Sequence, residues 1–234
     1  MDDRAAYQQL QSGWEQALTA RRERLVDRSG VQARAWAVRF EAMAAQQAAL
    51  QMDGRWVRGH GDLLWALGLD RSELIHSKAL CWLLDPVGAH GLGGALLARL
   101  LDHLDMAVPA DRELVRARLR REVPHPQGRA DLLIDLPAAR IVVENKIDAG
   151  EQPKQALRMV EAFDTENTAF VYLTLHGTAP TTAHGVEERW TSLSYRTLAG
   201  WLEDLSASDT DTAALAARTY LQTIERIAGG THRG

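Results

Sequence analysis

Asp131, Glu144 and Lys146 are the residues of this chain best placed to do chemistry. They lie in Arg129-Ala130-Asp131-Leu132-Leu133-Ile134-Asp135-Leu136-Pro137-Ala138-Ala139-Arg140-Ile141-Val142-Val143-Glu144-Asn145-Lys146. Two apolar runs separated by the Pro-containing turn Leu136-Pro137-Ala138-Ala139 predict a β-hairpin. Strand side chains alternate faces, so Glu144 and Lys146 share one face and Asn145 takes the other. Pairing of the hairpin sets Asp131 across from the Glu144 face. Two carboxylates and an ammonium then converge on one point, with apolar strands behind them. That combination suits a hard divalent cation and a phosphate. A Glu and a Lys two apart on a strand are more often a solvated ion pair. Here they end Ile141-Val142-Val143, a run apolar enough for burial on both faces, so the charges call for a reason.

The flanking segments must hold this hairpin in place. Leu69 to Leu84 reads as a helix, followed by a turn at Asp85-Pro86-Val87-Gly88 and a helix from Leu92 to Leu104. In Leu114-Val115-Arg116-Ala117-Arg118-Leu119-Arg120, arginines alternate with apolar residues and predict a strand with Arg116, Arg118 and Arg120 on one face. After Lys146, a turn at Asp148-Ala149-Gly150 leads into a predicted helix over Gln152 to Phe163, with Pro153 in its first turn. Ala169 to Leu175 is a weakly charged strand, and a helix between two strands is the usual crossover of a parallel pair. The predicted order is helix, three-stranded meander, helix, strand, an α/β fold with a mixed central sheet. Before it, Tyr7, Leu10, Trp14 and Leu18 recur at helical spacing, Ser29-Gly30 marks a break, and Trp36, Phe40 and Met43 resume the stripe. From Ser194 onward the chain reads as helical. The predicted division is a helical extension over 1–60, a domain over 61–228 and a frayed tail over 229–234.

These residues resemble the PD-(D/E)XK nuclease superfamily. The likeness covers about Glu73 to Leu175 and rests on Asp131 at a strand start, Glu144-Asn145-Lys146 closing the next strand, and Gln155 on the following helix. Glu73-Leu74-Ile75-His76-Ser77, Leu80-Cys81-Trp82-Leu83-Leu84-Asp85-Pro86 and His90-Gly91-Leu92-Gly93 are similar to a bacterial branch of the superfamily. The chain departs from the pattern at Ala130, where a Pro often precedes the Asp, and at Met159, where a Tyr often follows the Gln by four residues.

The resemblance implies a restriction-endonuclease-like core and a metal-dependent nuclease, hydrolysing phosphodiester bonds in DNA, in restriction or anti-phage defence. Asp131, Glu144 and the backbone carbonyl of Asn145 are then the ligands of Mg²⁺ or Mn²⁺. Lys146 orients or activates the attacking water and stabilises charge at phosphorus. Gln155 positions that water or a phosphate. Glu73 becomes a helix-borne metal ligand or acid, although Asp70-Arg71-Ser72-Glu73 equally fits a capping box with Asp70 as N-cap. Asp135 shares the Asp131 face and reads either as a supporting acid or as an exposed strand end.

Composition excludes several other classes. The 234 residues carry a net charge of -4, 46% hydrophobic and 25% charged residues, ordinary values for one substantial core. No apolar run approaches a membrane span, Met1-Asp2-Asp3-Arg4 does not open a signal peptide, and one cysteine, Cys81, fits a reducing cytoplasm as a buried thiol. The histidines lack the paired spacing of a zinc site; His76-Ser77 and His90-Gly91 read as anchors for the turn after the first helix. No phosphate-cradling glycine loop with Lys-Ser/Thr is present. Between Arg112 and Arg129 lie six arginines and two acids. Arg116, Arg118, Arg120 and Arg129 read as a solvated face or, beside the hairpin, as a phosphate-tracking row. The rival reading is a catalytically silent nucleic-acid-binding or assembly module that retains the fold. Weak DNA affinity from modest charge also leaves room for an activating protein partner or a homodimer through the N-terminal helices.

Overall fold

A computed structural model describes residues 3–55, 61–206 and 212–229, which form two compact units divided at Gly59 and His60. The predicted boundary at residue 60 lies outside the described residues, as does the predicted tail over 229–234 apart from Gly229, the last residue of a helix.

The first unit is one helix, α1 (Asp3–Met52), of 50 residues. The break expected at Ser29-Gly30 does not occur. The Ser29 hydroxyl donates to the Val26 carbonyl at 2.9 Å, and a lone glycine costs a long helix only about 1 kcal/mol. Trp14, Trp36, Phe40 and Met43 stand exposed along it.

The second unit contains α2 (Leu63–Ala66), α3 (Glu73–Leu84), α4 (Ala95–His103) and α5 (Asp111–Leu114) before the sheet. The strands are β1 (Arg118–His125), β2 (Gly128–Asp135), β3 (Arg140–Lys146), β4 (Thr168–Thr174) and β5 (Trp190–Ser194). Helix α6 (Gln155–Phe163) joins β3 to β4, and α7 (Tyr195–Ser206) and α8 (Thr212–Gly229) close the chain. The sheet order is β1-β2-β3-β4-β5. β1, β2 and β3 are antiparallel neighbours, whereas β3, β4 and β5 run parallel. This is the mixed sheet of a restriction-endonuclease-like α/β fold, with the helix, meander, helix and strand in the expected order.

Alternation along β2 and β3 sorts two cores. Leu132, Ile134, Ile141 and Val143 join Leu83, Leu97 and Leu202 on the face covered by α3, α4 and α7. Leu133 and Val142 join Met159 and Phe163 of α6 on the other face. The period-2 pattern thus assigns Glu144 and Lys146 to the α6 side and Asn145 to the α3 side.

Several elements differ from the sequence-based expectation. Arg116 precedes the first strand instead of lying in it, because α5 and its closing turn occupy residues through Ala117. Helix α6 starts at Gln155, after Lys154 adopts a left-handed φ of 55°, so Pro153 precedes the first turn. β5 was not anticipated: its five residues lie on a sheet edge with only Trp190 and Leu193 buried, too short and irregular a run to stand out. Cys81 is half-buried, not enclosed.

Candidate active site

The end of β3 gathers the predicted residues. Glu144 is 2% exposed, with its Oε1 3.0 Å from Lys146 Nζ. The Gln155 amide, at the head of α6, donates to the same oxygen, while Gln155 Oε1 accepts the Gln152 N–H at 3.0 Å. The backbone N–H of Asn145 donates to Asp131 Oδ2 at 2.9 Å, tying the first carboxylate to the strand that carries the second. The hollow they border has a volume of 490 Å³ and is also lined by Glu73, Arg129 and Arg158. A larger hollow of 590 Å³ lies at the opposite end of the sheet, around the Leu136–Ala139 turn, and lacks this convergence of charge.

Even with Lys146 beside them, burial works against the ionised forms of both carboxylates. Burial and then the neighbouring Asp131 carboxylate push Glu144 up to about 8. Burial also raises Asp131, against the stabilising N–H of Asn145. Burial works against the Lys146 charge too, but Glu144 outweighs it and Lys146 is raised, so it stays an ammonium. Among the described residues, Glu144 Oε2 is buried with no hydrogen-bond partner. A buried carboxylate oxygen left unpaired costs free energy that a cation would recover.

Behind the strand, the Asn145 side chain is fastened from three sides. Its amide donates to the Glu73 carbonyl at 3.0 Å and to Ser77 Oγ at 3.2 Å, and its Oδ1 accepts the Tyr195 hydroxyl at 2.8 Å. His76 lies next to this lock, fully buried. Its Nε2 faces the Asp70 carbonyl at 2.8 Å, a contact that requires a proton there, so Nδ1 accepts the Tyr220 hydroxyl at 2.8 Å. Burial lowers its pKa and keeps the ring neutral. His90 bonds the Asp85 carbonyl and the Leu92 N–H, holding the turn after α3 as expected.

A family model described as the PD-(D/E)XK nuclease superfamily matches residues 62–222, more than half of the chain. The chain belongs to that superfamily. No curated protein and no solved structure matches it. Asp131, Glu144 and Lys146, whose types and spacing resemble the superfamily's Asp and Glu-x-Lys, are brought together at the end of β3.

Other expected site residues of this PD-(D/E)XK chain are placed differently. Glu73 is not part of an Asp70 capping box, since Ser72 is the N-cap and Asp70 pairs with Arg226 at 2.7 Å. Its Oε1 accepts the N–H groups of Ile147 at 2.8 Å and Ala149 at 3.2 Å, bracing the turn just past Lys146. Among the described residues no group of three or more His, Cys, Asp or Glu side chains is placed so that it could hold a metal ion. Asp135 is held by Arg120 and Arg140 at the far end of β2, away from Asp131. That pairing diverts Arg120 from the hollow, and Arg118 sits beside Asp135 in the register. Arg129 borders the hollow but is bound to Glu122 at 2.8 Å. Glu122 faces Asp131 across the strands with a left-handed φ of 51°, uncommon for a non-glycine residue. Tyr195 and Arg158 escaped the sequence reading. Tyr195 packs at the head of α7, remote in sequence, and Arg158 lies one turn beyond Gln155, where helical spacing alone could have flagged it.

Proposed function

We propose that this PD-(D/E)XK chain is a divalent-metal-dependent nuclease that hydrolyses phosphodiester bonds in DNA. The observation that carries the reading is the buried, unpaired Glu144 Oε2 beside Asp131, with the Lys146 ammonium on the other oxygen. Such a donor set fits Mg²⁺ or Mn²⁺, which take oxygen ligands and tolerate few from the protein. Asp131, Glu144 and the Asn145 carbonyl would hold the ion. When bound, the ion supplies Lewis-acid polarisation of a phosphate oxygen and a more acidic water.

The chain's own residues do the rest. Lys146, kept protonated by Glu144, orients the attacking water and offsets negative charge developing at phosphorus. Gln155 holds Glu144 Oε1 and thereby fixes the direction of Oε2. Glu73 holds the turn that aims Lys146. Attack of water on phosphorus breaks the P–O3′ bond, leaving a 5′ phosphate and a 3′ hydroxyl. A role in restriction or anti-phage defence, in the cytoplasm, is part of the same reading; among the described residues no helix is long and apolar enough to cross a membrane.

Calorimetric titration with Mn²⁺ tests the metal site. Wild type should bind, and Asp131→Ala should lose binding by at least about tenfold while keeping its fold. A wild type that binds no divalent cation would remove the reading.

The exposed Trp36, Phe40, Met43 and half-buried Leu50 of α1 follow one another at steps of four, three and seven residues, spacings that fit a coiled-coil seam. We assign α1 to self-association with a second copy; sedimentation velocity giving a monomer at micromolar concentration would refute this.

A further inference from the structure

Helix α6 places two polar side chains over the catalytic hollow: Gln155 and, three residues on, Arg158. Residues three apart on a helix share a face, so both project toward the end of β3. Their situations differ. Gln155 is fully engaged by Glu144 and Gln152. Among the described residues, Arg158 has one long hydrogen bond, from Nη2 to Gln152 Oε1 at 3.5 Å, and its Nε is buried with no hydrogen-bond partner.

The other cations of the hollow are already matched. Lys146 is bound to Glu144 and Arg129 to Glu122. Among the described residues, Arg158 forms no ion pair with a carboxylate. A half-buried guanidinium with an unpaired N–H is costly unless an anion arrives to take it. Its planar fork of donors matches two oxygens of a phosphate, a fit a lysine cannot reproduce. A carboxylate would serve the fork equally well; the nuclease reading of the hollow is what favours a phosphodiester.

We propose that Arg158 is the phosphate-binding residue of the hollow, its guanidinium gripping the non-bridging oxygens of a backbone phosphate on the nucleic-acid strand being cut. The proposal rests on the nuclease reading and deepens it. Arg158 would then do what the sequence offered, beside a solvated face, for Arg116, Arg118, Arg120 and Arg129, of which Arg118 and Arg120 lie beside Asp135 at the other end of the sheet. It binds substrate and is not required to hold the metal.

Wild type, Arg158→Met and Arg158→Lys separate these roles. Arg158→Met keeps the packing of the aliphatic stem, so the fold is preserved while the charge is lost. Mn²⁺ affinity is measured by calorimetry, and binding of a fluorescent DNA oligonucleotide is measured with Ca²⁺ replacing Mg²⁺ across a KCl series. Arg158→Met should bind Mn²⁺ like wild type, bind DNA about 10- to 100-fold more weakly, and show a log–log salt slope reduced by about one. Arg158→Lys should keep the slope but recover only part of the affinity. In cleavage assays the loss should fall on KM more than on kcat. Wild-type DNA affinity and slope in a folded, metal-binding Arg158→Met would overturn the proposal and leave Arg158 as a brace for Gln152. A wild type that neither binds metal nor cuts would overturn the nuclease reading and this proposal together.

Discussion

The hydroxyl of Tyr195, at the head of α7, donates to Asn145 Oδ1 at 2.8 Å across the buried face of the sheet. Asn145 stands between Glu144 and Lys146, and its backbone N–H holds Asp131 Oδ2. One residue therefore couples the helical layer behind the sheet to the carboxylates in front. The middle residue of Glu-x-Lys, which chemistry alone leaves free, is here fastened on its side chain and its main chain.

Removing that hydroxyl should be felt on both faces. Tyr195→Phe leaves Asn145 Oδ1 buried without its donor and should cost about 1–3 kcal/mol of stability. Metal affinity should fall with it, because the strand carrying Glu144 and Asp131's partner loses its anchor. Chemical denaturation paired with Mn²⁺ titration checks this; a destabilised variant with wild-type metal affinity would show that the lock serves the fold alone.

Glu73 is separated from the metal ligands by its behaviour as glutamine. Glu73→Gln keeps an oxygen for the Ile147 and Ala149 N–H groups, so its Mn²⁺ affinity should stay within about threefold of wild type, since bracing requires only an acceptor. Glu73→Ala frees the turn beyond Lys146 and should lower kcat by about tenfold or more, as misplaced catalytic groups do. Loss of metal binding in Glu73→Gln would make Glu73 a ligand instead.

Acid and alkali should act on the metal-free protein through Glu144. Its folded pKa, about 8, lies above the ordinary value of 4.5. The protonated form is thus favoured in the fold, so stability from this group is complete below about 4.5 and is lost as pH rises toward 8. In a chelator, Tm should fall across that window. Glu144→Gln should flatten the fall, and Mg²⁺ should reverse it most strongly at the alkaline end. An unchanged pH dependence in Glu144→Gln would place the cost elsewhere.

Asp135 provides the control carboxylate. It lies on the same strand face as Asp131 but is paired with Arg120 and Arg140 at the other end of β2. Asp135→Asn should change stability by no more than about 1 kcal/mol, and its cleavage rate should match wild type. A large loss of cleavage would mean that the arginine end of the sheet contacts substrate.

The strands were legible because Leu132 to Ile134 and Ile141 to Val143 are continuous apolar runs, buried on both faces, and the alternation of side chains along a strand then placed Glu144, Asn145 and Lys146. The alternation at Leu114 to Arg120 misled by the same rule. A short helix can present the pattern as well, and the segment closes α5 before the strand begins at Arg118. Spacing also could not show that Arg120 and Arg129 already have carboxylate partners, since Asp135 and Glu122 reach them only through strand pairing. Tyr195 and Glu73 act through contacts fifty or more residues away in the chain. Such long-range hydrogen bonds leave no periodic trace.

The most direct test is cleavage of supercoiled, linear and single-stranded DNA in Mg²⁺ or Mn²⁺ by wild type and by Lys146→Ala. The arrangement of Asp131, Glu144 and Lys146 predicts cutting that a chelator stops and that Lys146→Ala reduces by at least about a hundredfold, the scale of a lost charge-stabilising donor. Cutting that survives in Lys146→Ala, or its absence from a folded wild type that binds Mn²⁺ and DNA together, would contradict the assignment of this site to phosphodiester hydrolysis.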